Sequence, residues 1–391
     1  MRKNETTMTD DWFSTVLKKN DKALKNDKST KIKFYSLDKI IATNSQYNFI
    51  LGERSNGKSY ACMEMMIKKY AQTGEQSALL RRWDEDFKGK RGSVMFDAHV
   101  SNGAVEKYTN GRWTGVYYYA SKWYFCNTDE DGKRTVANEP FCYGFSISAM
   151  EHDKSTSYPN ITTIVFDEVT SRNGYLPDEF TLFMNVLSTI IRQRDNVKIF
   201  MLGNTVSKVC PYFNEMGLTN IKKMEVGTID IYTYGDSELR VAVEFCESNA
   251  KSKASNVYFA FNNPHLEMIK GTGSIWEMDI YPHAPCKWLP KNELFKYFIR
   301  FDGELLQCEV VRVEDGIFTF IHRKTTPIKD ESKDIIFEPT PSIYPTHFQN
   351  IRKPTTPVTK KIASLFTPDR LFYQDNEVGE IVREYLLWCK A

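Results

Sequence analysis

A glycine-rich motif between residues 52 and 59 constrains the fold of this 391-residue chain more than any other feature. The segment Gly-Glu-Arg-Ser-Asn-Gly-Lys-Ser fits the pattern G-x-x-x-x-G-K-[ST], in which successive backbone N–H groups can face phosphate oxygens. An apolar run over 47–51 precedes the motif as a buried strand would, and helix-forming residues with apolar side chains three and four apart follow over 60–70. Strand, loop and helix in this order place a helix N-terminus against the phosphates, so the motif predicts a nucleoside-triphosphate site.

Each residue of the loop has a place in this predicted site. Lys58 can reach the β- and γ-phosphates, and the Ser59 hydroxyl can take a coordination position of Mg²⁺. The residues predicted to bind the nucleotide are Gly52, Glu53, Arg54, Ser55, Asn56, Gly57, Lys58, Ser59 and Tyr60. A chance match in a surface turn is the alternative, and the flanking strand and helix patterns argue against it.

Two further predicted strands end in polar residues. Asp167 and Glu168 follow an apolar run over 161–166, and Asn204 follows another over 197–202. A continuous apolar, β-branched run is typical of a central parallel strand. Asp167 can hold the hydration shell of Mg²⁺, and Glu168 can polarise the attacking water. The Asn204 amide can hydrogen bond the γ-phosphate or that water.

The order of the predicted elements favours an α/β fold with a mostly parallel sheet and flanking helices. A strand over 77–83 ends near Arg81 and Arg82, at the end of a strand where ligands of open α/β sheets lie. The aromatic region 113–147 predicts antiparallel strands that fill a core, with base stacking as the alternative. A helix is predicted over 178–191.

Composition narrows the function classes. At 391 residues and 41% hydrophobic content, the chain is long enough for two packed domains. A net charge of +2 gives no overall attraction to nucleic acid. A nucleic-acid-binding surface would therefore have to depend on local clusters of Lys and Arg. The eight cysteines form no C-x-x-C pair and are expected to be reduced, buried thiols. No apolar run approaches the roughly 20 residues that a membrane-spanning helix needs, so no membrane partner is expected.

The residues at the predicted strand ends carry a resemblance to a known family. Arg54 inside the phosphate loop, the strand that ends in Asp167 and Glu168, and the strand that ends at Asn204 together resemble the ATPase core of viral large terminases. Within that group, the loop Gly-Glu-Arg-Ser-Asn-Gly-Lys-Ser-Tyr is similar to that of the DNA encapsidation proteins of small podoviruses of the Picovirinae type. The resemblance covers roughly residues 31–247.

This resemblance implies a P-loop NTPase of the ASCE, terminase-like class, with ATP and Mg²⁺ as cofactors. It implies a homo-oligomeric ring, expected to be a pentamer, that binds the portal protein of an empty capsid and moves double-stranded DNA. In this group a packaging RNA commonly bridges motor and capsid. The expected location is the host cytoplasm, transiently at the portal vertex and not in the mature virion.

The resemblance further implies that a basic residue from one subunit completes the site of its neighbour. We favour Arg194, with Arg192 as the second choice, because both follow the predicted helix and could project from the edge of the subunit. Lys154, shortly before the Asp-Glu strand, is another candidate, and Arg54 is a catalytic candidate within the loop. A solvated surface charge is the alternative for each residue that would act in trans.

Four segments are predicted along the chain. They are an N-terminal arm over 1–30, the ATPase domain over 31–247, a linker over 248–281 and a C-terminal nucleic-acid or portal-binding domain over 282–391. Strands over 295–301, 305–313 and 317–321 and a terminal helix over 375–389 make the last domain a small α+β unit.

The sequence of the C-terminal domain is compatible with an active nuclease or with a nuclease fold that has lost its activity. Large terminases carry a ribonuclease-H-like nuclease here, built on several acids that hold two metals. Asp302 is the one acid that clearly follows a predicted strand, and a hairpin turn at Asp302-Gly303 explains it equally well. We therefore expect a degenerate nuclease fold. A terminase with an active endonuclease and an NTP-dependent assembly switch without translocation are the alternative functions.

Overall fold

The computed structural model describes residues 35–54, 56–152, 156–172, 174–205, 207–235, 238–247, 279–284, 286–314 and 316–390. The predicted N-terminal arm, most of the predicted linker, Ser55 and Lys154 lie outside these residues.

Ten strands form one sheet in the first part of the chain. They are β1 (Tyr47–Gly52), β2 (Gln76–Arg81), β3 (Gly115–Tyr119), β4 (Lys122–Thr128), β5 (Arg134–Val136), β6 (Cys142–Ser146), β7 (Ile161–Asp167), β8 (Lys198–Asn204), β9 (Ile229–Tyr234) and β10 (Leu239–Phe245). Their order is β3-β4-β6-β2-β7-β8-β1-β10-β9, and β5 pairs with β4. The six strands from β6 to β10 in this order are parallel, whereas β3, β4, β5 and β9 pair antiparallel to their neighbours. The predicted mostly parallel sheet is confirmed.

Helices flank this sheet. They are α1 (Asp38–Ala42), α2 (Lys58–Thr73), α3 (Lys90–Ser93), α4 (Asp97–Ser101), α5 (Ala104–Tyr108), α6 (Glu179–Ile191) and α7 (Pro211–Glu215). One core includes the buried stripe of α6, and a second includes that of α2. Because apolar cores cover both of its faces, every residue of β7 is buried, and this explains why its sequence reads as one continuous apolar run.

A six-stranded sheet forms the C-terminal part. Its strands are β11 (Glu293–Phe301), β12 (Glu304–Val313), β13 (Gly316–Arg323), β14 (Ile336–Phe337), β15 (His347–Phe348) and β16 (Leu371–Tyr373), in the order β15-β14-β11-β12-β13-β16. β11, β12 and β13 form the predicted antiparallel meander. The helices α8 (Pro357–Leu365) and α9 (Asn376–Trp388) contribute Ile362, Val382 and Tyr385 to its core. None of the helices in the described parts of the chain has the length and apolar character needed to cross a lipid bilayer.

Candidate nucleotide-binding and catalytic site

The predicted site residues meet at one edge of the large sheet. β1, β2, β7 and β8 are parallel, so their carboxyl-terminal ends lie side by side. This edge carries the phosphate loop after β1, Asp167 at the end of β7 and Asn204 at the end of β8. Ligands of open α/β sheets bind at this edge, so the topology alone brings the candidates together.

The conformation of the phosphate loop explains both of its glycines. Gly57, the N-cap residue before α2, has a φ of +95°, a backbone conformation that residues with a side chain rarely adopt. At Gly52, a Cβ atom would lie 2.5 Å from Sγ of Cys246. The same Sγ accepts a hydrogen bond from Nδ2 of Asn56 at 3.0 Å, so the loop packs against the residue that follows β10.

Lys58 links the loop to the end of β8. Its Nζ lies 3.2 Å from the carbonyl oxygen of Gly52, 3.2 Å from Oδ1 of Asn56 and 3.2 Å from Oδ1 of Asn204. Burial lowers the pKa of Lys58, and nearby negative groups oppose this effect. The predicted phosphate-binding lysine and the predicted γ-phosphate sensor are therefore direct neighbours.

Ser59 and Asp167 are also brought together, as predicted for a Mg²⁺ site. The Ser59 Oγ donates to Oδ1 of Asp167 at 3.0 Å, and Asp167 is buried. Within the described ranges no group of three or more His, Cys, Asp or Glu side chains could hold a metal ion. One hydroxyl and one carboxylate fit Mg²⁺, which usually takes one or two protein oxygens together with substrate phosphates and water.

Glu168 combines an exposed carboxylate with a strained backbone. Its side chain is 60% exposed, so water can reach it. Its φ of +70° is unusual for a residue with a side chain and costs roughly 1–3 kcal/mol, so it persists only where the surrounding structure enforces it. Val169 N–H donates to the carbonyl of Leu202 at 2.8 Å, which anchors the chain directly after Glu168 on β8.

Arg81 contacts both acids at the end of β7. Its Nη2 lies 2.8 Å from Oδ2 of Asp167, and its Nη1 lies 3.2 Å from Oε2 of Glu168. Next to it, the guanidinium of Arg82 is buried and pairs with Glu179. The sequence indicated only that both arginines end a strand near the ligand edge. That strand neighbours β7, a pairing that local sequence does not reveal.

The prediction that Arg194 projects from the edge of the subunit is corrected by its contacts. Its guanidinium donates to five backbone carbonyl oxygens of its own chain, those of Ile191, Pro159, Ile161, Tyr158 and Ile190. Arg192 is exposed, and its Nη2 donates to the Thr156 carbonyl at 2.9 Å. Both residues precede β8, so they lie at the sheet edge opposite the phosphate loop.

The remaining loop residues differ in exposure. Arg54 is exposed, Glu53 is half-buried and Asn56 is buried. The ring of Tyr60 stacks on that of His99, with centroids 4.1 Å apart, and its hydroxyl accepts from Nδ2 of Asn102 at 3.2 Å. The start of α2 is therefore braced by the short helix α4, an element that the sequence did not predict.

Asp302 shares a cavity lining with four glutamates, Glu304, Glu377, Glu380 and Glu384, but no group of three or more acids in the described ranges could hold a metal ion. Asp302 itself lies in a hairpin turn. It connects β11 to β12 with a φ of +52°, which matches the turn interpretation of its sequence. Its carboxylate accepts from Nδ2 of Asn214 at 2.7 Å and pairs with Nζ of Lys222 at 2.6 Å. Asp302 thus contacts the first part of the chain, and this geometry gives no support to an active nuclease centred on it.

The segments that follow β7 and β8 both reach the C-terminal helix α9. Arg172 Nη2 lies 3.2 Å from Oε1 of Glu380, and Lys208 Nζ lies 3.5 Å from Oε1 of Glu377. The strands that carry Asp167 and Asn204 therefore continue within a few residues into contacts with the C-terminal part.

The family model of the podovirus DNA encapsidation protein (Gp16) matches this chain over residues 27–113 and 126–259. The DNA packaging protein of Bacillus phage B103 is 34% identical over 174 residues, which are 44% of this chain and 48% of that protein. The DNA packaging protein of Bacillus phage phi29 is 30% identical over 183 residues, 46% of this chain and 49% of that protein. The chain spans about half the length of these relatives.

Two solved structures share the fold. The Phi-28 gp11 DNA packaging motor matches with a TM-score of 0.51 and 17% identity, over 92% of this chain and 98% of that one. The bacteriophage Phi-29 viral genome packaging motor assembly matches with a TM-score of 0.50 and 21% identity, over 90% of this chain and 98% of that one. At these identities the likeness concerns the architecture of the chain.

Proposed function

Because the chain belongs to the podovirus DNA encapsidation protein (Gp16) family, we propose that it hydrolyses ATP to drive double-stranded viral DNA into a preformed capsid. The observation that carries this proposal is the meeting of Lys58, Ser59, Asp167, Glu168 and Asn204 at one sheet edge. A phosphate-binding loop, an acid for the metal and a second acid beside it are the parts that phosphoryl transfer to water requires.

Each of these residues has a separate task in the proposed hydrolysis. The loop N–H groups and Lys58 bind the phosphates. To do so, Lys58 exchanges its contacts with oxygens of Gly52 and Asn56 for contacts with phosphate oxygens. Ser59 and Asp167 would hold Mg²⁺, which would neutralise developing charge on the phosphate oxygens. Glu168 orients the attacking water and accepts its proton, since its carboxylate is exposed beside Asp167. Asn204 reports the state of the γ-phosphate to β8 through its contact with Lys58.

The proposal includes an assembly. The chain forms a homo-oligomeric ring, a pentamer, that binds the portal protein, with a packaging RNA as a further partner. It works in the host cytoplasm at the portal vertex and leaves before the virion matures. The names of the relatives, which are DNA packaging proteins, support DNA as the cargo.

A cation supplied by the neighbouring subunit is part of this assembly. Arg192 is now the leading candidate among the described residues, because it is exposed, whereas the carbonyl contacts of Arg194 occupy its guanidinium. Lys154 stays a candidate from the sequence, and Arg54 stays a catalytic candidate within its own loop.

Protection of DNA from nuclease tests the whole proposal. Purified protein, empty capsids with portal, genomic DNA and ATP are mixed, and DNase is then added. We expect DNA to become protected in an ATP-dependent manner, and Lys58→Ala to abolish this. If the rate of ATP hydrolysis does not depend on DNA and no DNA becomes protected, the result would favour an assembly switch. Metal-dependent DNA cleavage that disappears in Asp302→Ala would favour the endonuclease.

A further inference from the structure

Arg82 contacts the backbone of Glu168 and not its carboxylate. The Arg82 side chain is 6% exposed. Its Nη1 donates to the carbonyl oxygen of Glu168 at 3.2 Å, and its Nη2 donates to the carbonyl oxygen of Val169 at 3.1 Å. These carbonyls belong to consecutive peptide groups, so one planar, rigid fork of donors fixes the orientation of both.

The contact with Arg82 can maintain the unfavourable backbone conformation of Glu168. A φ of +70° in a residue with a Cβ persists only where the surrounding structure enforces it. Relaxation toward negative φ would rotate the Cα–Cβ bond and carry the carboxylate away from its present place beside Asp167. The peptide carbonyl that Arg82 holds is the one next to that torsion.

Arg82 is itself held in a complete network. Nε and Nη2 donate to the two carboxylate oxygens of Glu179 at 2.7 and 2.9 Å. Glu179 stands in the first turn of α6 and is 2% exposed. Its oxygens also accept from the backbone N–H of Leu176 at 2.8 Å and from the hydroxyl of Tyr212 at 2.8 Å. The position of the guanidinium is therefore determined by α6 and α7, two elements outside the nucleotide loop.

We propose that Arg82 is a positioning residue for ATP hydrolysis: by holding the carbonyls of Glu168 and Val169, it directs the Glu168 carboxylate toward the attacking water. This inference rests on the proposed role of Glu168. Arg82 acts through Glu168, because its guanidinium contacts the carbonyl oxygens of Glu168 and Val169 and not the Glu168 carboxylate. Its removal should slow the chemical step and leave nucleotide binding intact.

The double variant Arg82→Met/Glu179→Gln tests this. It removes both buried charges together, so neither is left unpaired, and it keeps an oxygen that can accept from Tyr212 or Leu176. We expect kcat to fall by about 10²-fold, the size of effect that misplacing a reacting group causes, while the Kd for ATP changes by no more than about twofold. Lys69→Met is the matched control, since it removes a cation that hydrogen bonds Thr162 and Thr163 at the other end of β7. It should leave kcat unchanged.

Glu168→Gln in both backgrounds separates positioning from general damage. In the natural background this change should cost about 10²–10⁴-fold in kcat. In the double-variant background it should cost less than about tenfold, because the carboxylate is already misdirected. A merely structural role for Arg82 predicts the full additional loss in both backgrounds.

The outcomes are distinct. A double variant with normal kcat, in a protein that Glu168→Gln inactivates, overturns the positioning role and leaves the proposed function standing. Normal activity in Glu168→Gln itself removes the assigned water-activating group, and with it the basis of this inference. If the double variant does not fold, Arg82→Lys decides: it keeps a cation beside Glu179, but its single nitrogen replaces the three nitrogens with which Arg82 reaches Glu179 and both carbonyls. Normal kcat in that folded variant also overturns the proposal.

Discussion

The two edges of the large parallel sheet use basic residues in opposite ways. At the carboxyl-terminal edge, Lys58 and Arg81 contact side-chain oxygens of Asn204 and Asp167, groups that a bound nucleotide and its metal can rearrange. At the opposite edge, Arg194 donates to backbone carbonyls. These carbonyls belong to the end of α6, the turn before β7 and the first residue of β7, so the charge of Arg194 joins segments of its own chain and stabilises its own subunit. The cations at the two edges thus have different functions because of the groups that surround them.

Lys58→Ala should give the largest effect at the nucleotide edge. It removes the cation that the loop directs at the β- and γ-phosphates, so hydrolysis should become undetectable and nucleotide affinity should fall. Steady-state ATPase assays and fluorescent-nucleotide titration measure both. Because Lys58 also contacts Asn204, a thermal melt should accompany them, and a Tm close to that of the natural chain would place the loss in the site.

Glu168→Gln should separate catalysis from binding at the same edge. The amide keeps the shape of the side chain but cannot accept the proton of water, so kcat should fall by about 10²–10⁴-fold. Binding should persist, because Ser59 and Asp167 still hold the metal. Turnover near that of the natural chain would exclude Glu168 as the water-activating group.

Arg194→Met, at the opposite edge, should lower the stability of the protein and leave the nucleotide site intact. The loss of its charged hydrogen bonds to carbonyls should lower the free energy of unfolding by about 2–3 kcal/mol. The Kd for ATP should not change. Chemical denaturation and nucleotide titration give the two numbers. A stable variant that loses ATPase activity only in assembled rings would restore Arg194 as the residue supplied in trans.

Arg192→Met should have the smallest effect on stability, within about 0.5 kcal/mol, since its side chain is exposed. Its effect should appear in mixed assemblies. If Arg192 completes the neighbouring site, Arg192→Met and Glu168→Gln subunits are inactive alone and partly active when mixed, because some interfaces then join an intact Arg192 to an intact Glu168. Mixtures that form rings but stay inactive would argue against Arg192.

Sequence predicted the centre of the fold better than its periphery. β1, α2, β7, α6 and β8 were all predicted, because each has a long apolar run or a strong helical period. Their shared polar edge followed from parallel topology, and the contacts of Lys58 with Asn204 and of Ser59 with Asp167 confirm that these residues are neighbours.

The elements that escaped prediction lack such a period. The helices α3, α4 and α5 have four or five residues each, too few for a helical repeat to be recognised. The helix α8, which begins with Pro357 at the end of a proline-rich stretch, was not predicted either, although Thr356 and Thr359 form a capping box there.

The role of Arg194 could not be read from its neighbours in sequence. Three of its five carbonyl partners, those of Tyr158, Pro159 and Ile161, lie 33 to 36 positions earlier. They come near only when β7 and β8 pair. Arg82 has the same difficulty, since Glu179 is 97 positions away. Local pattern shows where a charge stands in the chain but not which oxygens the fold brings to it.

The two contacts of α9 have a mechanical consequence. Arg172 and Lys208 join the continuations of β7 and β8 to Glu380 and Glu377, one helical turn apart on the same helix. A load on the C-terminal part of the chain is therefore shared between the two strands that end at the nucleotide edge. Because these joints are partly exposed ion pairs, their stiffness depends on ionic strength. Added salt should loosen this link between load and strand ends before it weakens the apolar cores on either side.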